Sequence, residues 1–332
     1  MCSSPYVVVV SLGRYENKLI DMKGQVKRLV RKIFYPFLSN RYIRIFCAYY
    51  LYRRWIAHSE AMVALRRKEK NLDESYWMGK LRQYTHMVDK GLHRGDFSKG
   101  RGTRAYGVAK DALSHIKSRE GLRDPSTQWA ARKIKQYDEF QSGKSTRLVT
   151  EYVRTTCTYK DLLNAIKTRR SIRQYVDKPV EDEVIDKIAS VLDWSPTSCN
   201  RQPARVYATN NPDIVRKCVT LHRGAACFTD IYAPLFLMFC TDSRLYEMPA
   251  EMALPHVDVA LGVQNCVLVA HSLGISLTLL TCATLGVREE QNLREILGIP
   301  QHFQIVTSAV GGYVNGGAEV PARKNKELFI VR

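Results

Sequence analysis

The 332-residue sequence has no Cys-x-x-Cys pair, no internal repeat and, over its first 150 residues, little negative charge. It also lacks an apolar run of the roughly 20 residues that a membrane-spanning helix needs. The nine cysteines are scattered and odd in number, which excludes a zinc ribbon or a thioredoxin-type redox pair. Their spread suits a reducing compartment better than a disulfide framework. The run from Val7 to Val10 is too short for a signal-peptide core, and no basic segment precedes it. The expected location is therefore the cytoplasm. Hydrophobic residues make up 45% of the chain and charged residues 25%, which excludes a disordered chain, a collagen and a coiled-coil rod.

What is present is a charge asymmetry. Residues 1–150 carry 31 Lys+Arg against 13 Asp+Glu, a net +18, whereas residues 151–332 carry 20 against 19. The halves face different environments, and the expected organisation is a basic accessory region over 1–150 followed by a second domain over 151–332. Within the first half, residues 24–57 mix Lys27, Arg28, Arg31, Arg44, Arg53 and Arg54 with Phe34, Phe37, Tyr42, Phe46, Tyr49 and Trp55. Two readings stay open for this stretch. It is a helix that packs its aromatics and solvates its charges, or an interfacial helix that holds the protein against anionic lipid at the inner face of the membrane. No recognised nucleic-acid motif accompanies the charge, so nucleic acid is not an expected partner.

Residues 15–140 read as mostly helical, with helices expected over Ile56–Lys70, Asp73–Leu92, Ala105–Arg119 and Ser126–Phe140. The glycine-bearing stretch His93–Gly102 reads as a loop, and Gln141–Ser145 as a linker. The second half alternates. Helices are expected over Thr158–Thr168, Val180–Leu192, Pro255–Leu273 and Glu289–Leu297, and strands over Arg205–Thr209, Leu235–Cys240, Ile275–Leu280 and Ile305–Tyr313. Pro255–Leu273 is apolar all round, which implies burial in a core or a subunit interface. The fold class is α+β, with a central mixed or antiparallel sheet flanked by helices.

Two short segments carry chemistry. Arg169-Arg170-Ser171-Ile172-Arg173 puts three guanidiniums and a hydroxyl within five residues. Arginine forks suit phosphate oxygens, although a solvated basic turn has the same composition. Ser195-Pro196-Thr197-Ser198-Cys199-Asn200-Arg201-Gln202-Pro203 leads from a helix to a strand. Its small polar residues allow close approach to a flat polar ring, or simply form a connecting loop.

Together, R-R-S-x-R followed about 25 residues later by S-P-T-S-x-N-x-Q-P resembles the FMN-dependent nitroreductase family. Further landmarks follow in order: Asp258 through Gly274, Leu280-Thr281-Cys282-Ala283, Leu297-Gly298-Ile299-Pro300, Val310-Gly311-Gly312-Tyr313 and Pro321-Ala322-Arg323-Lys324. The resemblance spans roughly 158–332. It implies the family's fold, a homodimer with FMN at the interface, and ping-pong hydride transfer from NADH or NADPH to a quinone, nitro compound or specialised metabolite. It assigns Arg169, Arg170, Ser171, Arg173, Arg323 and Lys324 to the phosphate and ribityl region. Pro196, Thr197, Ser198 and Asn200 would lie against the isoalloxazine, usually from the other subunit. The backbone at Thr281 and Cys282 would face N5, so no side chain need carry a proton. Cys199 and Cys282 would lie near flavin without a redox role, Phe228 and Tyr232 are candidate roof residues, and His222, His256, His271 and His302 read as structural or surface histidines.

Two departures stand out. The family usually has an aromatic after Q-P, where this chain has Ala204 and Arg205, and often a proline where it has Val314. In the first half, His86-x-x-x-Lys90-Gly91-Leu92 with Gly95-Asp96-Phe97 is similar to an element of nitroreductase-like proteins from bacterial polysaccharide gene clusters. That similarity implies an alternative role as a flavin-dependent tailoring enzyme in surface-polysaccharide biosynthesis. A further alternative is an inactive membrane- or partner-binding protein. His86 and Lys90 share one helix face and are either a surface pair or residues that reach the site.

Overall fold

The apolar run at Leu235 is an inner strand of the sheet. In the computed structural model it forms β2 (Leu235–Asp242), all eight residues buried. It pairs antiparallel with β1 (Ala204–Thr209) on one side and β4 (Phe303–Tyr313) on the other. β3 (Ile275–Thr281) pairs antiparallel with β4, giving the order β1-β2-β4-β3. A strand covered on both faces must be apolar at every position rather than at alternate ones, which is why β2 reads as a continuous run. Phe236, Met238 and Cys240 point into one core with Val215, Leu293 and Phe303. Leu235, Leu237 and Phe239 point into a second core with Ile188, Val259, Val263 and Cys266.

The structure describes residues 42, 45, 72–144, 151–222, 233–282 and 285–325. Phe228, Tyr232, the helix expected at 56–70 and nearly all of the basic–aromatic stretch 24–57 lie outside them. In the described part the helices are α1 (Glu74–His93), α2 (Thr103–Ser114), α3 (Arg119–Arg123), α4 (Pro125–Gln141), α5 (Tyr159–Thr168), α6 (Asp182–Ala189), α7 (Pro212–Thr220), α8 (Leu254–Ser272) and α9 (Val287–Leu297). α6 and α8 cover one sheet face, and α7 and α9 the other. α8 approaches the turn Leu192–Trp194 so closely that a Cβ on Gly262 would collide with the Leu192 carbonyl.

α1, α2 and α4 form a small bundle around Leu81, Ala109, Ala112, Ala130 and Ile134. Asp73 caps α1 by accepting from the Tyr76 amide, and Asp124 caps α4 by accepting from the Ser126 and Thr127 amides, with Pro125 at its first position. The chain divides into two units, Met1–Arg67 and Lys68–Arg332. The bundle therefore shares one unit with the sheet, although its sequence groups with the basic first half. Arg244 joins them, pairing with both Asp73 and Asp242 at 2.7 Å. Lys80 pairs with Glu247, and Gly79 seats against Leu245.

Candidate functional site

α5 ends at Arg169, where the backbone turns extended. The chain then runs beside β3, because the Ser276 hydroxyl donates to the Arg170 carbonyl (3.0 Å) and accepts from the Ile172 amide (2.9 Å). The Thr278 hydroxyl donates to the Ile172 carbonyl (2.9 Å). Two β3 side chains thus pin the backbone while the arginines project from it. Arg169 donates to the Ser171 hydroxyl (3.2 Å), and exposed Arg173 to the Ser171 carbonyl (3.4 Å). Arg170 donates to the Arg169 carbonyl (2.7 Å), while its Nε is buried without a partner. Among the described residues, none of the three guanidiniums forms an ion pair. Three positive charges within five residues and a buried donor without a partner suit an anion.

The loop before β1 is held in a conformation that side chains disfavour. Cys199, Asn200 and Gln202 have φ of 55°, 56° and 49°, the left-handed region usually left to glycine. Such strain, of order 1–3 kcal/mol per residue, persists only where surroundings over-determine it. They do so here. Buried Asp258 accepts from the Ser198 amide (3.0 Å) and hydroxyl (2.9 Å), and from the Tyr246 hydroxyl (2.6 Å). Burial and this carboxylate together hold the Tyr246 phenol far above its ordinary pKa. The Thr197 hydroxyl accepts from the Gln202 amide (3.2 Å), and the Asn200 carbonyl group of the side chain accepts from Gln202 Nε2 (3.0 Å). Buried Arg201 donates to Glu251 (2.6 Å) and lies over the Tyr246 ring. Pro196 is exposed beside Ser195, whose hydroxyl donates to the Leu192 carbonyl.

Thr281 is exposed at the end of β3, and half-buried Cys282 follows. The Cys282 Sγ lies 3.8 Å from both His222 Nε2 and the Ser308 hydroxyl, and Ser308 lies 2.9 Å from His222 Nε2. His222 Nδ1 faces the Cys218 carbonyl (2.9 Å), so Nδ1 carries the proton and Nε2 accepts. Burial pushes the Cys282 thiol up to about 11, so it is not a thiolate at neutral pH.

The family model "Nitroreductase family" matches residues 166–226 and 223–313. A candidate NADH dehydrogenase/NAD(P)H nitroreductase of Methanothermobacter thermautotrophicus is 33% identical over 154 residues, covering 46% of this chain and 78% of its own length. The chain belongs to the nitroreductase family. An FMN reductase [NAD(P)H] of Bacillus subtilis is 26% identical over 165 residues, covering 46% of this chain and 66% of its own. A nitroreductase-type protein of Desulfovibrio desulfuricans, solved in complex with FMN, superposes at TM-score 0.44 with 22% identity, covering 53% of this chain and 98% of its own.

The chain carries its two motif segments at opposite edges of the sheet. The arginine turn lies along β3 and the Ser198–Asn200 loop runs into β1, and these are the two edge strands. At about 4.8 Å per strand, three spacings separate them, roughly 14 Å. Arg323 and Lys324 lie in an exposed stretch after β4. That stretch starts next to the arginine turn, where the Asn315 amide donates to the Gln174 carbonyl (3.0 Å), but Arg323 donates to the carbonyls of Pro321 and Ala322. His86 is half-buried on α1, where burial and then Lys90 push its pKa down, and Lys90 is exposed.

Asp258, Arg201, Glu251 and Tyr246 are site-building residues to which the sequence assigned no role. Asp258 had a signal: it is a single acid in an otherwise uncharged, all-round apolar helix, and a buried carboxylate requires donors. The others had none, since their partners lie far along the chain.

His222 also makes a pH prediction. Burial lowers its folded pKa below 6.5, so the unfolded chain binds more protons just under that pH. Stability is then lost as pH falls through 6.5 towards the folded value. Urea midpoints between pH 5 and 8 should decline on the acid side, and His222→Gln should flatten that decline.

Proposed function

We propose that this chain is an FMN-dependent NAD(P)H oxidoreductase working as a homodimer. The observation that carries the reading is the Arg169–Arg173 turn, where three guanidiniums without an ion pair among the described residues and a buried, unpartnered Arg170 Nε suit an anion. A flavin mononucleotide phosphate fits: it is doubly charged near neutral pH, and guanidinium forks match its oxygens. Arg169, Arg170, Ser171 and Arg173 would hold it, with Arg323 and Lys324 closing the clamp. Pro196, Thr197, Ser198 and Asn200 would lie against the ring, and the backbone at Thr281 and Cys282 would face its reactive edge. When bound, FMN supplies the hydride-transfer chemistry.

The chain's own residues then position and exclude. The Asp258 and Arg201 contacts preset the ring-facing loop, so little ordering remains to be done on binding. The neutral Cys282 thiol and neutral His222 keep charge away from the end of β3. The chemistry that FMN would supply there is ping-pong hydride transfer from NADH or NADPH to a quinone, a nitro compound or a specialised metabolite.

Two features support the dimer. The ring-facing and phosphate-facing segments sit on opposite sheet edges, an arrangement that a second copy would complete by bringing its own ring-facing segment to each phosphate site. α5 has no buried residue although Tyr159, Leu162 and Ile166 line one side of it, exposed by 79%, 51% and 48%. Val257 and Leu261 on α8 are exposed as well, and such apolar faces require a partner. The basic residues 1–150 remain, on this reading, an accessory region to the flavin domain at 151–332. Contact of the stretch 24–57 with anionic membrane at the cytoplasmic face is part of the same proposal. Among the described residues, no helix is long and apolar enough to cross a membrane.

Arg173 is exposed and donates within its own turn alone among the described residues, so its removal should spare the fold. Arg173→Ala removes a charge-assisted contact of about 1.5–3 kcal/mol. FMN affinity, read by quenching of flavin fluorescence, should fall on the order of 10- to 100-fold. An unchanged Kd would place the phosphate elsewhere.

A further inference from the structure

The family match begins at residue 166, so α1 lies wholly outside it. Yet α1 packs on the Ser198–Asn200 loop. Its Arg82 donates through Nε to the Arg201 carbonyl (3.1 Å) and through Nη2 to the Gln202 carbonyl (3.5 Å). Its Nη1 reaches the Ser126 hydroxyl at the start of α4 (3.4 Å). Among the described residues, no carboxylate lies within ion-pair distance of Arg82. Asp193, Asp124 and Asp242 contribute only longer-range attraction. A guanidinium largely removed from water is thus spent on two successive backbone carbonyls. Those carbonyls belong to the segment in which Cys199, Asn200 and Gln202 hold left-handed backbone. A planar, rigid fork of donors suits two adjacent carbonyls, whereas an ammonium presents its three donors from one point on a flexible stem.

We infer that Arg82 is a positioning residue for the ring-facing loop, and that the helical bundle is a fixed part of the flavin site rather than a detachable appendage. The inference rests on the functional reading above for what the loop faces. The clamp itself does not. Asp258 holds the loop at Ser198, Glu251 holds it at the Arg201 side chain, and Arg82 holds the backbone that follows. The loop is gripped from three elements, one of them on the accessory bundle. Ser75, Met78 and Arg82 of α1 also line a cavity of about 220 Å³ with Gln202, Pro203 and Arg205, so the bundle shapes the ground beside the loop as well.

The test is hydrogen exchange on the FMN-free full chain, followed by FMN titration. The amides of Ser198, Asn200, Arg201 and Gln202 are all hydrogen-bonded within the loop or to Asp258, so their exchange reports its closure. In Arg82→Ala, peptides spanning 196–203 should exchange on the order of tenfold faster, with those spanning 235–242 unchanged. The FMN Kd should rise on the order of tenfold. Arg82→Lys should recover part of both effects, and it serves as the test variant should Arg82→Ala not fold. Glu74→Gln is the control, because Glu74, at the first position of α1, accepts from the Lys117 and Ser118 amides and makes no hydrogen bond to the loop. Unchanged loop exchange in the Arg82 variants overturns the clamp. Equal acceleration in Glu74→Gln also overturns it, by showing general loosening. Faster exchange with unchanged FMN affinity overturns the positioning role. If the wild-type chain takes up no FMN, the functional reading fails, while the exchange result still decides the clamp.

Discussion

Asp258→Ala should destabilise the protein by about 3 kcal/mol or more and abolish most of its flavin retention. Asp258 is 3% exposed and satisfies three donors at once: the Ser198 amide, the Ser198 hydroxyl and the Tyr246 hydroxyl. Deleting the carboxylate leaves these donors with no acceptor in a buried place, at about 1–3 kcal/mol each. The loss also frees the first residue of a loop whose next residues are strained, so the loop should relax towards ordinary backbone angles. Two readouts therefore move together. Urea unfolding should report the lost stability, and the flavin-to-protein ratio after gel filtration should report the loop. A variant with wild-type stability would show that Asp258 is not the loop's anchor.

The second large effect concerns the buried pair Arg201–Glu251. Both side chains are nearly covered, at 3% and 10% exposure, and Nη2 meets Oε1 at 2.6 Å. Glu251 Oε2 also accepts from the Glu247 and Met248 amides, so the carboxylate organises the segment ahead of α8 as well. Arg201→Met leaves that carboxylate buried without its countercharge, which costs about 3–5 kcal/mol. Arg201→Met with Glu251→Gln removes both charges while keeping an acceptor for the two amides. The double variant should therefore be less destabilised than Arg201→Met alone, a sign that the stranded charge and not lost packing dominates. Thermal unfolding of the two single variants and the double variant decides this.

Much of the fold was legible because it follows from local rules. The apolar run of β2 announced a strand covered on both faces, and the uncharged stretch of α8 announced burial. Asp73 before α1 and Pro125 at the head of α4 marked helix starts close to where they occur. Other boundaries moved for equally local reasons. The helix expected over Ala105–Arg119 stops at Ser114, and Ser118 caps a new short helix by accepting from the Gly121 amide. The helix expected over Val180–Leu192 is shorter, because its last turn becomes the Leu192–Trp194 turn that leads into the Ser198–Asn200 loop. α7 was not anticipated, although Asn211 and Pro212 form a cap and first position of the usual kind.

The candidate site divides differently. The segments proposed to hold the flavin, Arg169 to Arg173 and Pro196 to Asn200, stand out in the sequence because each is contiguous and their spacing is distinctive. The residues that hold them do not. Arg82 is 119 positions from Arg201, Asp258 is 60 from Ser198, and Glu251 is 50 from Arg201. Helical or strand periodicity carries no information across such separations. Only the folded chain brings the basic bundle against a loop of the nearly neutral half.

The most direct test of the whole account is anaerobic titration of the FMN-reconstituted, full-length protein with NADH and with NADPH, followed by visible absorbance. The account predicts that FMN co-purifies or binds stoichiometrically and that at least one nicotinamide bleaches its absorbance. A chain that takes up no FMN even in excess, or holds flavin that neither nicotinamide reduces, would contradict it.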